Sequence, residues 1–146
     1  MDRIVVGVDG TDESRRALAW AVDDARRRGD AKVEAVHAWD TPLLVGSPAG
    51  GVASLPPDGP YDHAGRALLE AALEGIDASG VTVERVVLEG PAGPNLCQRA
   101  QGAALLVVGS SGHNALVDAL LGSVTHYCVH HARCPVVVIP AVKKPK

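Results

Sequence analysis

The chain has 146 residues, of which 47% are hydrophobic and 21% are charged. These proportions are typical of one folded domain and exclude the disordered, collagen-like and disulfide-dense classes. Fourteen Lys and Arg against 17 Asp and Glu leave a net charge of −3, which is the wrong sign for a protein that binds nucleic-acid backbones. Two Trp and two Tyr, with no Phe, are also too few to stack a run of bases.

The sequence contains neither a long apolar stretch nor a secretory signal pattern. No segment approaches the roughly 18 consecutive apolar residues of a membrane span, and the first residues lack a basic segment followed by an apolar one. Cys97, Cys128 and Cys134 are odd in number and lack C-x-x-C spacing, which argues against a disulfide framework and a ribbon-type zinc site. We therefore expect a cytoplasmic protein with reduced thiols, without membrane or nucleic-acid partners.

The first two predicted elements are a strand and a helix. Residues 3–8, RIVVGV, are rich in β-branched side chains and end at a turn, which is typical of a buried strand. Thr11 predicts a helix N-cap, and Asp12 and Glu13 follow in the first turn, where the helix dipole favours anions. Apolar residues then recur at helical spacing as far as a basic last turn, and Gly29 predicts the end of the helix.

The rest of the chain continues this alternation. Residues 40–60 contain nine Gly or Pro and predict a loop that is long enough to be functional or mobile. The other predicted elements are a strand at 32–39, a helix at 61–78, a strand at 81–88, a short helix at 95–101, a strand at 105–108, a helix at 123–132 and a strand at 135–139.

Strands that alternate with helices indicate an α/β fold with right-handed crossovers and a parallel sheet that is covered on both faces. We expect a single-domain, Rossmann-like fold over residues 1–142, with five strands in the order 3-2-1-4-5 and about four helices. The basic tail at 143–146 is expected to be solvated. Ligands of such sheets bind beyond the carboxyl ends of the strands, where the strand order reverses.

Glycines follow the fourth predicted strand and precede the last helix. Gly109 and Gly112 lack a Cβ, so a ligand could approach the main-chain amides directly. Nine residues later, Gly122-Ser123 stands at the predicted start of the last helix, where N–H groups without intrahelical acceptors form an anion site. The two segments together predict a phosphate-binding site made of two parts, which the nine residues between Gly112 and Gly122 connect.

The spacing Gly109-x2-Gly112-x9-Gly122-Ser123 matches the G-x2-G-x9-G-(S/T) signature of the ATP-binding subclass of the universal stress protein family. The resemblance covers nearly the whole chain, from IVVGVDGT through LLVVGSSG to LLGSVTHYCVHHARCPVVVIP. It implies a five-stranded parallel α/β fold that binds ATP and acts as a nucleotide-dependent sensor or switch in the stress response. It also implies a homodimer formed through the last strand, at Val136, Val137, Val138 and Ile139.

The resemblance also assigns roles within the site. It implies that Asp9 contacts the adenosine end and that backbone groups near Ala38 meet the adenine edge. Gly109 is expected beside the ribose, and Gly7 is expected to leave room beside the first strand. The residues implied for the phosphates, mainly through main-chain donors, are Gly112, His113, Ser123, Val124 and Thr125. The predicted nucleotide-binding set also includes Ser110, Ser111 and Gly122.

The loop between the two glycines departs from the family pattern. Many relatives carry Arg there, whereas Ser110 and Ser111 are uncharged in this chain. We therefore expect main-chain amides, the helix dipole, solvent and Mg²⁺ to balance the phosphate charge. This weaker compensation predicts modest ATP affinity and leaves AMP or cyclic AMP open as ligands.

Neither catalysis nor a protein-bound metal is indicated. No Lys follows Gly122 as in a Walker A loop, and Gly7-x-x-Gly10 does not complete a dinucleotide fingerprint. His126 and His130 lie one helical turn apart, but Cys128 falls on a different face, so a metal site is not predicted. Two alternatives stay open: a slow ATPase or phosphotransferase, and a dimeric interaction module that binds AMP, cyclic AMP or no nucleotide.

Overall fold

The protein, represented by a computed structural model, is described over residues 1–40, 60–111 and 121–141. Strands and helices alternate along these ranges. The elements are β1 (Asp2–Gly7), α1 (Asp12–Arg28), β2 (Ala31–Trp39), α2 (Pro60–Leu73), β3 (Thr82–Glu89), α3 (Ala92–Arg99), β4 (Leu105–Gly109), α4 (Ser123–His131) and β5 (Val136–Ile139).

The described strands form one parallel sheet in the order β3-β2-β1-β4-β5. β1 pairs with β2 on one side, with Val6 opposite Ala35, and with β4 on the other side, with Val6 opposite Val107. The chain therefore moves outward in opposite directions from β1. This arrangement confirms the predicted Rossmann-like fold class and strand order, and it puts the point where the strand order reverses between β1 and β4.

Two apolar cores cover the two faces of the sheet, because successive side chains of a strand point to opposite faces. On one face, Ile4 and Val6 pack with Leu18 of α1 and Leu69 of α2. On the other face, Val5 packs with buried residues of the two remaining helices, Leu96 of α3 and Cys128 of α4. Val5, Ile4 and Val6 have no exposed surface, so β1 is the central strand of the fold.

The ends of α1 confirm the prediction from sequence. The Thr11 hydroxyl accepts a hydrogen bond from Ser14 N–H at 3.2 Å, and Gly29 at the other end has φ +81°. Such a cap stabilises a helix by about 1 kcal/mol.

None of the helices within 1–40, 60–111 and 121–141 combines the length and the apolar character needed to cross a bilayer.

Two helix boundaries differ from the prediction. α2 ends at Leu73 and not near Ala78, because Gly75 adopts φ +79°, which ends the helix although Ile76 and Ala78 still pack against the core. α3 begins at Ala92 and not near residue 95. Its Pro94 lies in the first turn, where a helix tolerates a residue without an N–H donor.

The three cysteines are free thiols. Cys128 is fully buried, and desolvation raises its pKa to about 12. Burial also raises the pKa values of Cys97 and Cys134. Because the thiolate is the reactive form, these three groups are poor nucleophiles at neutral pH.

Candidate functional site

The carboxyl ends of β1 and β4 lie side by side, since the two strands pair directly. Asp9 follows β1, and Ser110 follows β4. The predicted strand order 3-2-1-4-5 puts these two segments beside each other where the order reverses, and the fold brings them to that point. A ligand in this position would contact both segments.

The loop after β4 is fastened to the start of α4. The N–H of Gly122 donates to the carbonyl of Ser110 at 2.8 Å, and the Thr125 hydroxyl donates to the carbonyl of Gly109 at 2.5 Å. Thr125 is 3% exposed, so solvent does not compete for its hydrogen bond. The two glycine-bearing segments are therefore in contact although they are separated in sequence. Gly112 and His113, which belong to the predicted phosphate-binding site, lie outside the described residues.

The start of α4 offers main-chain donors. Gly122 is the N-cap and makes no side-chain capping hydrogen bond, and the first hydrogen bond of the helix runs from His126 N–H to Gly122 O at 2.9 Å. The N–H groups of Ser123, Val124 and Thr125 therefore have no acceptor within the helix. Ser123 and Val124 are exposed. Such a helix start favours an anion both by its donors and by its dipole.

Asp9 is part of the turn that precedes α1. Its Oδ1 accepts hydrogen bonds from Thr11 N–H at 3.0 Å and from the Thr11 hydroxyl at 2.5 Å. The carboxylate is half-buried, and the turn fixes the orientation of one of its oxygens. Asp9 therefore stabilises the entry into α1, while a contact with adenosine stays a prediction.

Glu13 also contacts this region, although its sequence position indicates only an acid in the first turn of α1. Its carboxylate accepts hydrogen bonds from the N–H of Ser111 at 2.8 Å and from the Ser111 hydroxyl at 2.6 Å. Gly109 permits this approach, because a Cβ there would lie 3.1 Å from Glu13 Cβ. The first turn of α1 thus contacts the loop after β4.

The last residue of β2, Trp39, forms an aromatic pair with Tyr61 of α2. The ring of Trp39 stacks on that of Tyr61, with centroids 4.9 Å apart and planes 15° from parallel. The indole N–H of Trp39 is buried and has no hydrogen-bond acceptor among the described residues. Ala38 is half-buried beside it. This pair could not be inferred from the sequence alone, since 22 positions separate the two rings.

Gly7 leaves space for a side chain of the apolar core in the described structure. A Cβ on Gly7 would lie 2.8 Å from Leu96 Cδ1, so the space left by its missing side chain is filled by α3. Nearby, His37 Nδ1 hydrogen-bonds to the carbonyl of Val8 at 2.9 Å, which is the environment of a packed residue. The interpretation of Gly7 as room for a nucleotide stays a prediction.

Two histidines of α4 lie against each other on the helix surface. His126 and His130 have ring centroids 4.4 Å apart, and both side chains are exposed. Within the described ranges, no three or more His, Cys, Asp or Glu side chains converge on a point that could hold a metal ion. The arrangement at the sheet edge is therefore one of main-chain donors, hydroxyls and carboxylates.

Sequence comparison assigns this chain to a family. A profile described as the universal stress protein family matches residues 1–140. The chain belongs to the universal stress protein family. The Mycobacterium tuberculosis universal stress protein Rv2005c is 36% identical over 137 residues, which are 92% of this chain and 44% of the relative. The chain thus spans about half the length of that relative.

Two solved structures are similar over almost the whole chain. A universal stress protein in complex with cAMP has a TM-score of 0.70 and 26% identity, covering 95% of this chain and 96% of the other. The universal stress protein from Archaeoglobus fulgidus in complex with dAMP has a TM-score of 0.68 and 26% identity, covering 95% and 98%. Relatives of this universal stress protein therefore bind adenine nucleotides on the same fold.

Proposed function

We propose that this chain binds an adenine nucleotide at the carboxyl edge of its sheet, with ATP and Mg²⁺ as the expected ligand, and that occupancy serves as a signal. The observation that carries the proposal is the contact between the loop after β4 and the start of α4. Through the hydrogen bond from Gly122 to Ser110, amides of the helix start lie next to a glycine-bearing loop. This combination suits phosphate groups.

The two ends of a nucleotide need different surroundings, and the sheet edge supplies both. Phosphates require donors, which the first residues of α4 provide. A purine requires a largely apolar surface with a few polar groups, and the half-buried end of β2 at Ala38 and Trp39 is of that kind. The similar structures solved with cAMP and dAMP support adenine as the base.

The polar residues present are compatible with Mg²⁺ when a nucleotide supplies most of its ligands. Mg²⁺ prefers oxygen and is commonly held by one or two carboxylates together with substrate phosphates and water. Asp9 would supply such an oxygen at this edge. The cation would neutralise phosphate charge, which suits a site without Lys or Arg in the Ser110–Ser111 loop.

The proposed role is that of a sensor or switch, not of a fast enzyme. Rapid phosphoryl transfer would need positioned cationic groups around the phosphates, and the described loop offers hydroxyls and amides. Three free thiols suit a reducing compartment, so a cytoplasmic location is part of the proposal.

Binding is tested by calorimetric titration of the purified protein with ATP, AMP, cyclic AMP and GTP, each with and without Mg²⁺. We expect saturable binding of at least one adenine nucleotide and much weaker binding of GTP. Equal affinity for GTP, or no heat with any adenine nucleotide, would contradict the proposal. Phosphate release faster than about 1 per minute would favour an ATPase instead, although this is slow beside typical enzymes.

Pairing through β5 is the second part of the proposal. β5 lies at one edge of the described sheet, and its valines are half-buried within the single chain. An apolar edge strand is commonly covered by a partner, and a second copy of β5 would continue the sheet. We propose that the chain forms a homodimer through Val136–Ile139.

Replacing Val137 with Lys is expected to convert the dimer into a monomer, because the ammonium group would have to be desolvated at the new interface. Sedimentation velocity gives the mass, and circular dichroism shows whether the variant is folded. A wild-type protein that sediments as a monomer at micromolar concentration would contradict the dimer, independently of the variant. So would a folded variant that stays dimeric.

A further inference from the structure

The carboxylate of Glu13 lies against the loop at which phosphate binding is proposed. Its Oε2 accepts from Ser111 N–H at 2.8 Å and from the Ser110 hydroxyl at 3.4 Å, and its Oε1 accepts from the Ser111 hydroxyl at 2.6 Å. Glu13 thus engages one main-chain and two side-chain donors. A phosphate group next to this loop would need donors of these same types.

The position of Glu13 is set by the packing of α1. The helix lies across the sheet with its first turn beside the end of β4, and Gly109 lacks the Cβ that would separate them. The neighbouring Asp12 is exposed and makes no hydrogen bond to the loop among the described residues. Of the two acids in the first turn, only Glu13 therefore faces Ser110 and Ser111.

Charge makes this contact relevant to a nucleotide. A carboxylate that accepts an N–H and a hydroxyl forms charge-assisted hydrogen bonds, which are stronger than neutral ones. A phosphate that takes over these donors must displace the carboxylate. A phosphate that binds beside them must approach a negative charge, and the cost rises with the number of phosphate charges.

We infer that Glu13 sets the ligand preference of this site by competing with nucleotide phosphates for the Ser110–Ser111 donors. The inference rests on the proposed nucleotide binding. Glu13 disfavours ligands in proportion to their phosphate charge, so it penalises free ATP most, AMP less and adenosine least. Mg²⁺ reduces the penalty for ATP because it neutralises part of the charge.

The test compares Glu13→Gln with Asp12→Asn. Both variants remove one negative charge from the same helical turn, but only the first removes it from the loop. Gln has nearly the shape of Glu and retains an oxygen that accepts from Ser111, so the fold is expected to persist. Thermal unfolding of both variants checks this expectation.

For Glu13→Gln we expect the Kd of ATP without Mg²⁺ to fall about tenfold, which corresponds to about 1.4 kcal/mol. The Kd of AMP should fall about threefold, and that of adenosine should not change. Mg²⁺ should reduce this gain in ATP affinity. Asp12→Asn should change each Kd by less than about twofold, because an exposed charge is screened by salt.

The outcomes separate the inference from the proposed function. If the wild-type protein binds nucleotide and Glu13→Gln binds ATP equally well or more weakly, the inference is wrong while nucleotide binding stands. An equal gain in ATP affinity in the two variants would show a long-range charge effect and would also overturn the inference. If neither the wild type nor Glu13→Gln binds any adenine nucleotide, the proposed function fails and the inference fails with it.

Discussion

Replacing Ser123 with Asp is expected to weaken adenine-nucleotide binding by more than tenfold without destabilising the protein. Ser123 is exposed and is the first residue of α4. An Asp there would place a carboxylate among the amides proposed to bind phosphate, and it would repel the ligand. The same carboxylate interacts favourably with the helix dipole, by about 0.3 to 1 kcal/mol, so stability should be unchanged or slightly higher.

Ser123→Asn is the matched control, since it has the size of Asp without the charge. Calorimetric titration gives the affinities, and urea unfolding gives the stabilities. We expect the Asn variant to bind nucleotide within about threefold of the wild type. A folded Asp variant with wild-type affinity would exclude the start of α4 as the phosphate site.

Replacing Glu34 with Ala is expected to lower the free energy of unfolding by about 3 kcal/mol, since removal of one partner from a buried ion pair leaves the other charge uncompensated. Glu34 is 3% exposed and accepts hydrogen bonds from Arg3 at 3.1 Å and from Arg99 at 3.2 Å. Both arginines are partly exposed, so water can solvate them again. This keeps the effect at the lower end of the range for such pairs.

Glu84→Ala is the control for this variant. Glu84 stands opposite Glu34 on the neighbouring strand and pairs with Lys32 at 3.0 Å, but its side chain is 43% exposed. An exposed pair contributes at most about 1 kcal/mol, and urea unfolding distinguishes the two effects. Similar losses in both variants would contradict the importance of burial. Arg3 lies near the amino end of β1 and Arg99 is the last residue of α3, whereas the proposed phosphate donors follow the carboxyl end of β4 and begin α4. Nucleotide affinity should therefore not change in Glu34→Ala.

The parts of the fold that are coded by short segments could be predicted from the sequence. A run of β-branched residues predicted β1, and a Thr followed by two acids predicted the start of α1. The same reasoning failed at α2, because the apolar pattern continues through Ile76 while the backbone turns at Gly75. Periodicity reports which side chains are buried, and it does not report whether the backbone between them stays helical.

The candidate site, like the fold, could be predicted from the sequence only in part. The spacing of Gly109 and Gly122 led to the expectation that two segments meet, and hydrogen bonds join them. The contact between Glu13 and Ser111 spans 98 positions and depends on how closely α1 packs against β4. No local pattern codes for that distance. The helix dipole explains an acid at position 13 equally well without any contact to a loop.

Ser110 joins the loop after β4 to the edge strand β5 and to the start of α4. Its N–H donates to the carbonyl of Ile139 in β5, and its carbonyl accepts from Gly122 at the start of α4, both at 2.8 Å. These two groups belong to consecutive planar peptide units, so only the φ and ψ torsion angles of one residue separate them. A rotation there that accommodates a ligand would pass through one hydrogen bond to the main chain of the last strand, and so to the proposed interface between subunits.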